Sequence, residues 1–164
     1  MTTTLEHKKP VPPPAGLSLG GILVPVDFSE SSRKALHYAL AFARQFQAAV
    51  TVLHVVPLIL PDPRFALAAP GVQEKIFRDG QEQLAAEIQG HGEHWAALKP
   101  LVRQGVAFNE IVNAARELGS DLIVLATHGR TGLKHILLGS TAERVVRYAP
   151  CPVLVVRERE HDFA

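Results

Sequence analysis

Five short apolar runs punctuate the chain: Ile22–Val26, Val50–Val56, Leu98–Arg103, Leu122–Ala126 and Val153–Val156. Each has the length of a strand, and most are β-branched, as strands buried on both faces tend to be. Between them the pattern changes to a three-to-four-residue rhythm. Leu36, Ala39, Leu40, Ala43 and Phe46 mark one face of a helix, and Ser29 stands where that helix needs an N-cap. A second helix is predicted from about Val72 to Ile88, with Ile76, Phe77, Leu84 and Ile88 inward and Asp79-Gly80 weakening its middle. Ile111, Val112, Ala115 and Leu118 line a third helix, which Gly119 stops, and a fourth runs from Gly139 to about Tyr148.

No hairpin-type turn joins these units, so the strands are read as parallel, with the helices as crossovers. The alternation predicts an α/β fold: an open, mostly parallel five-stranded sheet with helices on both faces. Ligands of such sheets sit at the carboxyl ends of the strands, where strand order reverses. The exits of the first strand, at Asp27, and of the fourth, from Thr127 onward, are the pair predicted to meet there. Pro25 cannot donate to a ladder, so it fits best at the strand's end, where the chain leaves the sheet to shape a pocket wall.

The remaining segments divide the chain simply. Residues 1–18 carry Pro10, Pro12, Pro13 and Pro14 without a periodic apolar face and read as a disordered leader. Residues 19–158 form the single domain, and 159–164 a flexible tail. Pro57, Pro61, Pro63 and Pro70 make a long non-helical connection, a length usually functional or mobile.

Composition narrows the function classes. The 164 residues suffice for one domain with a real core, and no stretch approaches the ~20 apolar residues of a membrane span. The N-terminus lacks a secretory pattern, and the lone Cys151 rules out an internal disulfide, making a reducing cytoplasm the default. Cys151, between two prolines, reads as a small packing residue. The net charge of +1 and the lack of a basic stripe with interleaved aromatics argue against nucleic acid as a partner. The positive charges that stand out are local: Arg130, Lys134 and His135.

The chemistry concentrates after the fourth strand. Thr127-His128-Gly129-Arg130 opens a basic loop, and Gly139-Ser140-Thr141 opens the next helix. A strand that ends in a flexible loop and a helix start suits a phosphate, because first-turn N–H groups have no helical acceptor. Ser140 followed by Glu143 has the capping-box spacing, and Gly139 lets the backbone approach a ligand. Neither a P-loop nor a dinucleotide fingerprint is present, so fast phosphoryl transfer has little support. Asp27 is read as a ligand to a ribose hydroxyl or a metal-bound water, against the plainer role of an acid at a helix N-terminus. His128 suits a phosphate and a nearby carbonyl equally well. His91 and His94 have no third ligand of suitable spacing and read as solvated surface.

These residues resemble the universal stress protein family. The segments carrying the likeness are Ile22–Ser29, Val50–Val55, Thr127–Thr141 and Ala149–Val156, in order along residues 20–157. The resemblance implies strand order 3-2-1-4-5 and a homodimer paired through the last strand, here Val153, Leu154, Val155 and Val156. One branch of the family binds ATP through G-x-x-G, nine residues, then G-[ST]. Gly129, Gly139 and Ser140 match that pattern, whereas Ala126 replaces its first glycine. By the same resemblance Pro25, Val26 and Asp27 flank the adenosine, and Val55 offers its backbone to the adenine. His128, Gly129, Arg130, Gly139, Ser140 and Thr141 face the phosphates, with Mg²⁺ on their oxygens and Asp27 reaching it through water. No residue is assigned a catalytic role.

The implied function is an ATP-binding regulatory dimer in the stress response, with slow or no hydrolysis and a protein partner the sequence does not name. The alternative is a nucleotide-free dimeric interaction module of the same family, toward which Ala126 leans. A true nucleotide hydrolase or adenylyl-transfer enzyme would need a base and a second pocket that the sequence does not display.

Overall fold

A computed structural model of the chain describes residues 16–58, 71–90, 98–127 and 138–157. In chain order the elements are β1 (Gly21–Val26), α1 (Glu30–Phe46), β2 (Ala49–Val56), α2 (Val72–Gln89), β3 (Leu98–Gln104), α3 (Ala107–Leu118), β4 (Leu122–Ala126), α4 (Ser140–Tyr148) and β5 (Val153–Val156). The strands form one sheet of order β3-β2-β1-β4-β5, and every neighbouring pair is parallel. Both the elements and the strand order agree with the sequence reading. Most of the leader and of the Pro-rich connection, together with His91, His94, the basic loop and the tail, lie outside the described residues.

Alternation along the strands builds two cores. Ile22, Val24 and Val26 join Val50, Val52 and Val124 on one face, against Leu36, Ala39, Leu40 and Ala43 of α1 and Leu84 of α2. Leu23, Leu53, Ile123 and Leu125 turn the other way, toward Ile111 and Ala115 of α3 and Ala142 and Val145 of α4. The chain moves one way along the sheet through α1 and α2, then jumps back past β1 and continues through α3 and α4. Reversing direction while keeping one crossover hand forces the later helices onto the opposite face. That reversal puts the switch point between β1 and β4.

Gly80, read from sequence as a weakness in α2, has a packing reason. It is buried, and a Cβ there would lie 3.0 Å from Val56 Cγ2 and 3.2 Å from the His54 ring. The missing side chain is what lets α2 settle onto β2. At the opposite edge of the sheet, Asp121 Oδ2 accepts the N–H groups of Gly20 (2.7 Å) and Gly21 (3.0 Å), pinning the start of β1 beside that of β4. Those two donors hold the Asp121 carboxyl below its usual range. Its contribution is therefore present above the ordinary aspartate pKa and fades as pH falls through the lowered one.

Cys151 packs against the α3–α4 core, as the sequence reading had it. Burial, then the Asp121 charge, push its thiol up, while a backbone hydrogen bond with Ile123 opposes them.

Substituting Gly80→Val should destabilise the protein by about 1–3 kcal/mol in urea unfolding, since overpacking at this contact outweighs any gain in helix propensity. An unchanged midpoint would show that α2 can move off β2 at little cost.

Candidate functional site

The carboxyl edge is shaped first by a hydrogen bond that cannot form. The Gly20 carbonyl accepts the Ala49 N–H at 2.9 Å, so the even residues of β1 face β2 and the odd residues face β4. β1 and β4 pair at Ile22↔Leu122 and Leu23↔Ile123 and then stop, although β1 stays paired with β2 as far as Val26↔His54. The next rung would need a Pro25 N–H to reach the Val124 carbonyl, and proline has none. Pro25 thus lies within β1, one residue earlier than the expected strand end, and its missing donor faces the switch point. The two central strands part there.

The neighbouring strand ends add backbone groups. The register implies that the Val55 N–H closes the last β1–β2 rung, leaving the Val55 carbonyl one step beyond the ladder. The Val26 carbonyl lies 2.9 Å from His54 Nδ1; an acceptor there requires that nitrogen to carry the proton. Phe28, at φ 66°, packs its ring 4.4 Å from that of His54.

Asp27 is built into the turn that leads into α1. Its Oδ1 accepts the Ser29 N–H (3.1 Å) and the Ser29 hydroxyl (2.6 Å), and its own N–H donates to Ser32 Oγ (3.3 Å). Ser29 Oγ in turn caps α1 by accepting the Ser32 N–H at 3.2 Å. This turn satisfies the start of α1 from within. Ser32, 3% exposed, completes it and was not anticipated; the Ser29-x-x-Ser32 spacing was its only signal.

The start of α4 is built differently. Thr127, 5% exposed, donates its N–H to the Val156 carbonyl (2.9 Å) and accepts the Gly139 N–H (2.8 Å). The second bond ties the exit of β4 to the entrance of α4. Sequence reasoning passed over Thr127 as a site residue, because its value lies in backbone geometry. The capping box predicted at Ser140 does not form. Gly139 is the N-cap, no side-chain hydrogen bond caps the helix, and the Glu143 carboxylate pairs with Arg147 at 3.0 Å. Ser140 is exposed as the first helical residue, one position later than a capping serine. The Glu143 N–H bonds the Gly139 carbonyl, so the helix offers no acceptor to the N–H groups of Ser140, Thr141 and Ala142.

The structure therefore brings Pro25, Val26, Asp27, Val55, Ala126, Gly139, Ser140 and Thr141 to one edge of the sheet. The Ala126 methyl packs against the α1-side core. His128, Gly129 and Arg130 lie outside the described residues.

The sequence profile of the universal stress protein family matches residues 20–157, which span every strand and helix just described. The chain belongs to this family. Universal stress protein MJ0531 of Methanocaldococcus jannaschii is 39% identical over 142 residues, covering 84% of this chain and 81% of that protein. Among solved structures, universal stress protein UspA from Lactobacillus plantarum superposes with a TM-score of 0.75 at 28% identity, covering 87% of this chain and all of that one. A universal stress protein from Archaeoglobus fulgidus in complex with dAMP shares the fold at a TM-score of 0.56 and 23% identity, covering 85% of this chain and 99% of that one. The strand order and the helices on both faces are those of this family.

The two helix starts make opposite predictions. Ser29→Ala should lower stability by about 1 kcal/mol, as loss of an N-cap does, whereas Ser140→Ala should change it by less than about 0.5 kcal/mol. Equal losses in thermal or urea unfolding would restore the capping role to Ser140.

Proposed function

We propose that this universal stress protein binds ATP with Mg²⁺ where β1 and β4 part, and acts in the cytoplasm as a nucleotide-dependent homodimer of the stress response. The observation that carries the reading is the uncapped start of α4, tied through Gly139 to the exit of β4. A helix start without an internal acceptor suits the phosphates, and the Val55 carbonyl suits an adenine amino group. Ser140 and Thr141 would meet the phosphates; Pro25, Val26 and Asp27 would border the adenosine. His128, Gly129 and Arg130 would meet the phosphates as well, with Mg²⁺ on the phosphate oxygens. Ala126 fits this arrangement because its methyl packs against protein. The dAMP complex of the Archaeoglobus protein is support from the fold alone.

The nucleotide would contribute charge and binding free energy that favour one arrangement of the loop between Thr127 and Leu138. Turnover would be slow or absent, and the output would be a changed surface for a protein partner. Ala126, in place of the pattern's first glycine, is the observation that favours a nucleotide-free dimeric module instead.

Calorimetric titration of Mg-ATP into nucleotide-stripped protein should show one site per subunit. Gly139→Val should weaken it by at least about tenfold, because a side chain would crowd the helix start. Absence of both heat and thermal stabilisation would leave the nucleotide-free module as the function.

The dimer reading rests on a contrast between sheet edges. The β3 edge carries Lys99 and Pro100, which discourage pairing, whereas β5 is wholly aliphatic. The Pro152 and Val156 carbonyls accept N–H groups from Ile123 and Thr127, so the alternate residues Val153 and Val155 turn their backbone groups to the open edge. Pairing with β5 of a second copy would use those groups. Val155→Pro removes a donor that the β4 ladder does not need. It should convert a dimer to a monomer in sedimentation while leaving the far-ultraviolet circular dichroism intact; a persistent dimer would place the interface elsewhere.

A further inference from the structure

We infer that the groove between α3 and α4 is a docking surface for an acidic peptide segment of a protein partner. The groove encloses about 760 Å³ on the sheet face opposite α1 and α2. It is bordered by two facing helical stripes: Phe108, Asn109, Asn113 and Arg116 on α3, and Arg144 and Arg147 on α4.

Charge carries the argument. Across a chain whose cations and anions nearly balance, this groove gathers three arginines against a single acid, Glu143. Glu143 pairs with Arg147 at 3.0 Å; among the described residues neither Arg116 nor Arg144 forms an ion pair. Each arginine is nevertheless held in place. The Arg144 guanidinium lies 4.9 Å above the Phe108 ring, and Arg116 donates to Asn113 Oδ1 at 3.3 Å. A stacked guanidinium keeps the N–H groups along its edge available to carboxylates. The exposed asparagines, Asn109 and Asn113, add amides of the kind that pair with peptide backbone.

Spacing narrows the occupant further. Phe108, under Arg144, and Arg116 are two turns apart on α3, about 12 Å along its axis. An extended chain covers that distance in about four residues, so a segment with acids three or four positions apart would reach both stations. Three arginines are too few for the many phosphate contacts of nucleic-acid binding. The groove reaches Ser140, which the ATP reading places at the phosphates, but the peptide stations lie on Arg144 and Arg116; the proposal needs no bound nucleotide and is tested on nucleotide-stripped protein.

The test uses the full chain and a fluorescein-labelled, extended heptapeptide with glutamates at its second and sixth positions, followed by anisotropy at low salt. Binding should be at least about tenfold tighter than that of the glutamine counterpart, the difference expected when charge-assisted hydrogen bonds are lost. Arg144→Gln and Arg116→Gln should each weaken it severalfold while lowering the melting temperature by no more than a few degrees, and Arg33→Gln, on the opposite face, should leave binding unchanged. Equal affinity for the two peptides, no binding, or binding unaffected by both groove variants would overturn the proposal. So would a single-stranded oligonucleotide that binds more tightly than the peptide and loses affinity in the same variants.

Discussion

One absent hydrogen-bond donor organises the carboxyl edge of this protein. β1 is the central strand, flanked by β2 and β4, and its ladder with β2 continues through Val26. Its ladder with β4 stops where Pro25 turns a nitrogen without a proton toward the Val124 carbonyl. In an uninterrupted parallel sheet these strands would stay joined to their ends and leave little room between them. A proline elsewhere in β1 would break a different rung or face the other neighbour. At this position it opens the strand pair at which chain direction also reverses, so covalent geometry and topology select the same place.

The two helices that begin on that edge, α1 and α4, show how backbone satisfaction separates scaffold from site. At α1, Asp27, Ser29 and Ser32 form a closed turn that supplies acceptors to the helix start. An acid so engaged is first a structural residue, and any contact with a ribose is added to that role. At α4 the N-cap is a glycine whose own N–H is bound to Thr127, and the next three N–H groups have no acceptor in the helix. The positive end of the helix dipole adds to their effect. A local interaction thus anchors α4 firmly while its first turn keeps its donors.

Sequence pattern reveals the fold more fully than the site. The central strands β2, β1 and β4 emerge as apolar runs because helices cover both their faces, and the helices as stripes because they are buried on one. Both signals are sums over many residues and survive local exceptions. Single-residue roles do not have that protection. Ser140 followed by Glu143 has the spacing of a capping box, yet the chain enters α4 one residue earlier and Glu143 pairs with Arg147. Gly80 reads as a helix defect until β2 is laid against it, and Thr127 shows no side-chain signal for a role played by its backbone. The strand order came from family resemblance, since periodicity alone does not say which parallel strands are neighbours.

The same logic distinguishes the two outer strands. An edge strand must either discourage a partner or accept one. β3 carries a lysine and a proline, and its Arg103 is held down on α3 by Glu117, with Glu110 at 3.8 Å. Those contacts raise the Arg103 pKa further and keep a charge close to that border. β5 has neither device, and its side chains are only partly buried except for Val156. A bare aliphatic edge is an open template for pairing, and in the proposed dimer a strand related by a two-fold axis would supply the matching backbone groups without any further sequence change. Guarding one edge while leaving the other bare would limit edge pairing to a closed pair, whereas two bare edges would permit open-ended addition of copies.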